Sequence, residues 1–460
     1  MTLVVLWVSP QNSQATDNQV KPKLKLVWIA HDASLSLARV SKKYTDETGI
    51  DVEVIMLPYG SDWYSRIAAE FSSGGDGFDL AVWDSQSLAE FAEANHIERL
   101  NPYMDKSKLL SFDDFDENSL KRYAEYPSGS GNMWALPINQ DAVGLLYRKD
   151  LFENPIEKKN FLEKYGYPLS LPKTYAQLQD IAEFFTRPER GIYGWAQFAA
   201  GDYDFNSSAA LNFIWSYGGE LWNPKTNEVV GYLDSPASID GLNQYITMFK
   251  YTPDTERNWS YLEVNEAFKH GKLAMATQWY VLFDDVLRGS NRLTIDQIGF
   301  TNLPGAIGRD NLYRHQVMLG GQGIGINRYS KNKAQAWHFL EWLMQEKQQL
   351  DYSKKAKTAL NSVLENPNWL NSDIRNKKFS MVVENLNDYW HLPEYISLLE
   401  ILQQEITAAI QGRKSPNVAL SMAARRQEIL LKKAGYKISK TTEIPEVPDR
   451  VVEPVGRKIN

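Results

Sequence analysis

The sequence predicts an α/β protein built as more than one lobe, and three observations carry that expectation. The chain is 460 residues long, beyond the roughly 250–300 residues at which one hydrophobic core stops growing. From residue 24 onward, short runs of β-branched and aromatic residues alternate with stretches at helical spacing, the rhythm of a parallel sheet with helices on both faces. The composition, 43% hydrophobic and 23% charged, is that of an ordinary globular chain.

Residues 24–30 (LKLVWIA) predict the first strand, and residues 34–48 a helix that Gly49 stops. Residues 52–57 (VEVIML) predict a second strand closed by Pro58, residues 61–73 a second helix, and residues 74–77 (GGDG) a turn. Residues 80–83 predict the third strand and residues 85–95 the helix after it. In such sheets ligands sit beyond the carboxyl ends of the strands. That rule points to His31 and Asp32, to Tyr59 through Trp63, and to Asp84 with Ser85. Farther along, residues 134–138 and 144–148 predict two strands flanking a polar bend, Asn139-Gln140-Asp141. Thr174 predicts a helix N-cap, residues 206–217 and 236–251 predict helices, and residues 320–326 form a Gly-rich apolar run before a helix from about Lys333 to Gln345. Residues 379–435 read as largely helical, and residues 438–460, rich in Lys, Pro and Glu, as a loose tail.

Composition removes several kinds of chemistry. The chain has no cysteine, so it has no disulfide, thiolate metal site or cysteine nucleophile. A formal net charge of −7 argues against nucleic acid as a partner. The six histidines show no metal-ligand spacing, and neither a phosphate-binding G-x-x-x-x-G-K-[ST] loop nor a G-x-S-x-G elbow is present. The run Gly321-Gln322-Gly323-Ile324-Gly325 lacks the last glycine of a dinucleotide loop. No metal or organic cofactor is expected.

What remains is a kit suited to sugars. A sugar ring has apolar faces and a rim of hydroxyls, so its site needs aromatic plates plus carboxylates and amides, because each desolvated hydroxyl must find a partner. With 14 Trp and 24 Tyr the plates are available, and Trp83 beside Asp84, Tyr59 near Asp62, and Gln278 beside Trp279 and Tyr280 bring the two kinds of group together. At the N-terminus, the apolar run Leu3 to Val8 and the small-x-small sequence Ser13-Gln14-Ala15 read as the remnant of an export signal whose true start lies upstream. Residues 1–23 are accordingly expected to be a leader.

The order of motifs resembles the family 1 extracellular solute-binding proteins, relatives of the maltose-binding protein. The similarity runs through residues 74–80 (GGDGFDL, with Phe78 where the family's G-x-x-P-D run has proline), 134–137 (WALP), 146–152 (LYRKDLF), 171–175 (LPKTY), 191–195 (GIYGW), 267–275 (AFKHGKLAM), 303–305 (LPG), 320–324 (GGQGI) and 331–340 (KNKAQAWHFL). The resemblance implies a two-lobed periplasmic-binding-protein fold of class II with three interlobe crossovers, near residues 138, 318 and 360. The N-terminal lobe would comprise residues 24–138 and 319–360, and the C-terminal lobe 139–318 and 361–437. Ligand would lie between lobes that close by a hinge.

Site residues carry over position by position. Asp84 matches a carboxylate that grips sugar hydroxyls, and Asp141 a second. Trp279 matches the aromatic plate of the second lobe. Gly320 and Gly321 match backbone that approaches ligand closely, and Gln322 a contact residue of variable type. His31, Asp32, Tyr59, Trp195, Tyr389 and Trp390 complete the expected set. Structural alternatives stand beside these: Asp84 as a helix N-cap, Asp141 as a turn residue, Trp279 as core, the glycines as close packing.

The resemblance further implies a monomeric, exported, non-enzymatic binding protein in the periplasm or at the cell surface, lipid-anchored if a cysteine lies upstream. It would hand a sugar, disaccharide or glycosylated polyol (maltose, trehalose, sucrose or glucosylglycerol, a compatible solute) to an ABC permease and its ATPase. A glycoside hydrolase on a similar cleft and a binder of a non-sugar solute are the alternatives.

Overall fold

The computed structural model describes residues 23–58, 61–289 and 292–438. The expected leader, the tail from residue 439, and Tyr59 lie outside the described residues. Strand β1 (Lys23–Ile29), helix α1 (Asp32–Thr48), β2 (Asp51–Leu57), helix α2 (Ser61–Ser72) and β3 (Leu80–Asp84) follow the predicted rhythm to within two residues. Gly49 ends α1 at φ 76°, the left-handed conformation that glycine adopts without penalty. The predicted third helix is instead a short 3₁₀ turn followed by α3 (Leu88–Glu93).

The later strands are β4 (Leu136–Arg148), β5 (Tyr193–Ala196), β6 (Leu273–Trp279), β7 (Ile298–Asn302), β8 (Ala306–Ile307), β9 (Tyr313–Arg314), β10 (Val317–Ile326) and β11 (Leu386–Asn387). The main sheet runs in the order β2-β1-β3-β10-β4-β6-β5, with β7 also paired to β4 and β11 to β10. The pairs β1–β2 and β1–β3 are parallel, as expected, whereas β10 is antiparallel to both β3 and β4. Among the described residues no helix is long and apolar enough to cross a membrane.

Two hydrophobic cores divide the sheet. One draws on Leu24 to Ile138 and again on Ile324 to Trp369. The other, apart from Tyr123, draws on Ala142 to Leu319 and then on Phe379 to Leu431. The chain therefore passes between the cores within β4, within β10, and between Trp369 and Phe379, the last passage lying beyond the expected position near 360.

The polar bend expected at Asn139-Gln140-Asp141 does not exist. These residues lie inside one 13-residue strand, β4, and are buried. Polar side chains normally argue against a buried strand, but here each has partners. Asn139 Nδ2 donates to Gln322 Oε1 at 3.1 Å, and Asn139 Oδ1 accepts from the backbone N–H of Lys357 at 3.2 Å. The Gln140 amide donates to the Thr358 carbonyl at 3.0 Å. The strand thus binds β10 through its ladder and residues 357–358 through these side chains.

Gly321 makes the β4–β10 approach possible. Its φ is 109°, and a Cβ there would collide with the Asn139 carbonyl oxygen. Gly321→Ala is expected to cost about 2 kcal/mol or more of stability, read as a lower urea midpoint with an unchanged slope.

Candidate ligand-binding site

The carboxyl end of β3, the middle of β4, the end of β6 and the glycines of β10 converge on one small cavity. It is lined by Asp84, Gln86, Asp141, Tyr203, Asp204, Tyr261, Trp279, Leu319, Gly320, Gly321 and Gln322. Six of the expected residues therefore come together here: Asp84, Asp141, Trp279, Gly320, Gly321 and Gln322. Register explains this, since Gly320 pairs with Asp141 and Gln322 with Asp84.

Asp84 makes no side-chain cap bond to the turn that follows it. Its Oδ1 accepts from Gln322 Nε2 at 3.0 Å and its Oδ2 from the Tyr203 hydroxyl at 2.9 Å. Asp141 Oδ1 accepts from the backbone N–H groups of Ala142 (2.9 Å) and Val281 (3.2 Å), tying β4 to the turn after β6. Asp204 Oδ1 accepts from the Tyr261 hydroxyl at 2.5 Å. Burial pushes all three carboxyls up, Asp84 to about 6 and Asp141 and Asp204 to about 7. Just behind this wall, Asp388 accepts from Ser85 Oγ (2.7 Å), Gln86 Nε2 (2.8 Å) and His391 Nε2 (2.9 Å). Burial would raise its carboxyl, but the His391 ring and the Ser85 hydroxyl outweigh that and hold it below the ordinary value.

The aromatic side of the cavity is Trp279. Its ring lies parallel to Phe198 (8°, centroids 6.3 Å apart) and edge-on to Tyr261 (86°, 6.1 Å). Its indole Nε1–H is buried with no hydrogen-bond partner among the described residues. Trp279 is only 5% exposed, so it is at once core and wall. The ring rests on Gly320, where a Cβ would overlap it.

The cavity encloses only about 30 Å³, room for roughly one or two waters. It adjoins an outer cavity of about 400 Å³, within the range of pockets that hold small ligands. The two share Asp84, Tyr203 and Asp204. Tyr203 is the partition: it comes from the second half of the molecule to bond Asp84 of the first, from a backbone φ of 51° that a bulky residue rarely adopts. Other contacts join the halves, including the paired Arg288–Asp32 bonds at 2.7 and 2.9 Å. The two halves are thus in direct contact beside the cavity.

The remaining expected residues lie elsewhere. His31 caps α1, its Nδ1 accepting from the Ser34 N–H at 3.2 Å, and burial pushes its imidazole down to about 4. Asp32 is committed to Arg288. Trp195 is fully buried in the second core, with its indole N–H on Thr277. Trp390 is likewise buried, and Tyr389 bonds Ser207 behind the cavity. In each of these cases packing, capping, an ion pair or a hydrogen bond occupies the side chain. Sequence reasoning missed Tyr203, Asp204, Tyr261 and Asp388. The triplet Asp202-Tyr203-Asp204 carries the same acid-beside-aromatic signature that singled out Asp84.

Two outcomes follow from this geometry. A carboxyl raised in the folded state favours folding fully below its unfolded value, near 4, and loses that advantage as pH climbs through about 7. Asp141→Asn and Asp204→Asn, which keep an oxygen for the same donors, are therefore expected to raise the melting temperature of ligand-free protein by a few degrees at pH 8 and by less at pH 5. Separately, Gly320→Ala is expected to displace the Trp279 ring, weakening ligand binding at least tenfold and, as overpacking of a core side chain, lowering the melting temperature by a few degrees, measured by calorimetry on the two proteins.

Comparison with known proteins places this architecture. The family model described as bacterial extracellular solute-binding protein matches residues 34–350. A probable amino-acid ABC transporter periplasmic-binding protein of Sinorhizobium fredii is 21% identical over 422 residues, covering 90% of each chain. Among solved structures, maltose-bound MalE3 of T. maritima superposes with a TM-score of 0.75 at 22% identity, over 89% of this chain and 100% of that one. A solute-binding protein of Agrobacterium radiobacter in complex with ribitol gives 0.74 at 22% identity, over 89% and 98%. The fold is the two-lobed architecture of these periplasmic binding proteins, and the chain belongs to the bacterial extracellular solute-binding protein family.

Proposed function

We propose that this protein captures a sugar or polyol outside the cytoplasm and delivers it to an ABC permease with its ATPase. The single observation that carries the reading is the closed wall itself. Asp84 and Gln86 from one half, Tyr203, Asp204, Tyr261 and Trp279 from the other, and the interlobe strands between them line one cavity. A guest seated there would touch both halves, so binding would favour closure by its differential affinity for the closed form. Carboxylates supply acceptors for hydroxyls and the Trp279 plate supplies an apolar face. The lobes are taken as residues 24–138 with the return from β10, and residues 139–318 with the C-terminal helices.

The relative from Sinorhizobium fredii carries an amino-acid name. Here an amino acid would bring its carboxylate to a wall of carboxylates that no Lys, Arg or His lines, which favours a hydroxyl-rich guest.

A thermal-shift screen over maltose, trehalose, sucrose, glucosylglycerol, ribitol and mannitol tests the reading. At 100 times its dissociation constant a ligand adds about 2.7 kcal/mol of stability, and Asp84→Ala is expected to erase most of that gain. Product beyond one equivalent in mass spectra of the incubated ligand would assign the protein to enzymes instead. Trp279→Ala is the poorer probe, because removing a ring packed on Phe198 and Tyr261 also costs roughly 3–5 kcal/mol of folding.

A further inference from the structure

The hydrogen-bonding inventory of the wall is one-sided. The inner and outer cavities together are lined by Asp84, Asp141, Asp202, Asp204 and Glu400, and by no Lys, Arg or His. In the inner cavity the side-chain donors are largely committed. Tyr203 and Gln322 already donate to Asp84, Tyr261 to Asp204, and Gln86 to Asp388. The Trp279 indole N–H remains without a partner. On Asp141 the Oδ1 atom accepts from the Ala142 and Val281 N–H groups, and on Asp204 it accepts from the Tyr261 hydroxyl.

Every polyol hydroxyl that donates one hydrogen bond to this wall also brings lone pairs that need donors, which the inner cavity supplies sparingly. An ammonium group brings three donors and no acceptor. It also supplies the positive charge that desolvated carboxylates lack. Cations are plentiful on a different face of the interlobe region, where Lys354, Lys355, Lys357 and Arg375 line another cavity. Among the described residues no group of three His, Asp or Glu side chains could hold a metal ion, so the acids are spread along the cleft rather than gathered about a point.

We infer that the guest is a hydroxylated amine, an amino sugar or aminated polyol, whose protonated nitrogen lies against Asp204 and Asp84 while its hydroxyls and C–H face meet Asp141 and Trp279. This rests on the polyol reading above and narrows it. The guest would displace the Tyr203 hydroxyl from Asp84 and so join the two cavities.

The test is isothermal titration of the full chain at pH 7.5 with matched pairs: glucose and glucosamine, sorbitol and 1-amino-1-deoxysorbitol, ribitol and 1-amino-1-deoxyribitol. In at least one pair the amine is expected to bind about tenfold or more tightly than its neutral partner, the gain from one charge-assisted hydrogen bond. Asp204→Asn is expected to reduce that ratio towards one, because the amine loses its charged partner whatever happens to the affinity of the neutral member. Neutral members binding as tightly as the amines, or alone, overturn the amine assignment and leave the polyol reading standing. Failure of every member to bind overturns both. An amine preference that survives Asp204→Asn and the parallel Asp84→Asn also overturns the assignment, because the charge would then be read elsewhere.

Discussion

The antiparallel pairing of β4 with β10 is the constraint on which this structure depends. Both strands belong to both halves, and their register sets Gly320 opposite Asp141 and Gly321 opposite Gln140. A glycine is needed at 321 because the backbone there takes φ 109° against the Asn139 carbonyl. Asn139 and Gln140 then extend the same contact to residues 357–358. The strands β4 and β10 and residues 357–358 are thereby held side by side at the junction of the two cores. The cavity forms at that junction, where residues of both halves meet.

Stability is given up at this junction. Three carboxyls are desolvated within one wall, and each is raised well above its ordinary value, which disfavours the closed empty state once they ionise. Tyr203 answers part of the cost with its hydroxyl on Asp84, from a backbone conformation that is itself unfavourable. A closed form under such strain is one that a guest with the right donors would relieve. That links the electrostatics of the wall to the direction in which binding drives the hinge.

The alternation of strands and helices over residues 23–84 was readable from hydrophobic period, turn residues and glycine stops, all local signals. Of the residues brought together by β3, β4, β6 and β10, Asp84 and Trp279 were readable from polar groups beside aromatics, whereas Asp141, Gly320, Gly321 and Gln322 were expected only from the family resemblance. What escaped was decided by tertiary pairing. The run Asn139-Gln140-Asp141 looks like a bend unless its partners on β10 and residues 357–358 are known. His31 looks like a ligand group because it follows the carboxyl end of β1, yet it caps α1. Trp195 has its indole N–H on Thr277 within the second core, whereas Trp279 rests on Gly320 at the cavity. Tyr203 carries no periodic signal at all, since its reach across the halves follows from one backbone torsion.

The claim at the centre is that a guest bridges two halves that close upon it. Because the chain lacks cysteine, spin labels can be placed cleanly at Lys42→Cys on α1 and Lys158→Cys on the surface helix Pro155–Tyr165 of the other half. Pulsed electron paramagnetic resonance then reads the interlabel distance. The account predicts a broad distribution in free protein that collapses to one narrow distance at saturating ligand, and no collapse in Asp84→Ala at the same ligand concentration. A distribution that stays the same when calorimetry shows the site to be filled would contradict it.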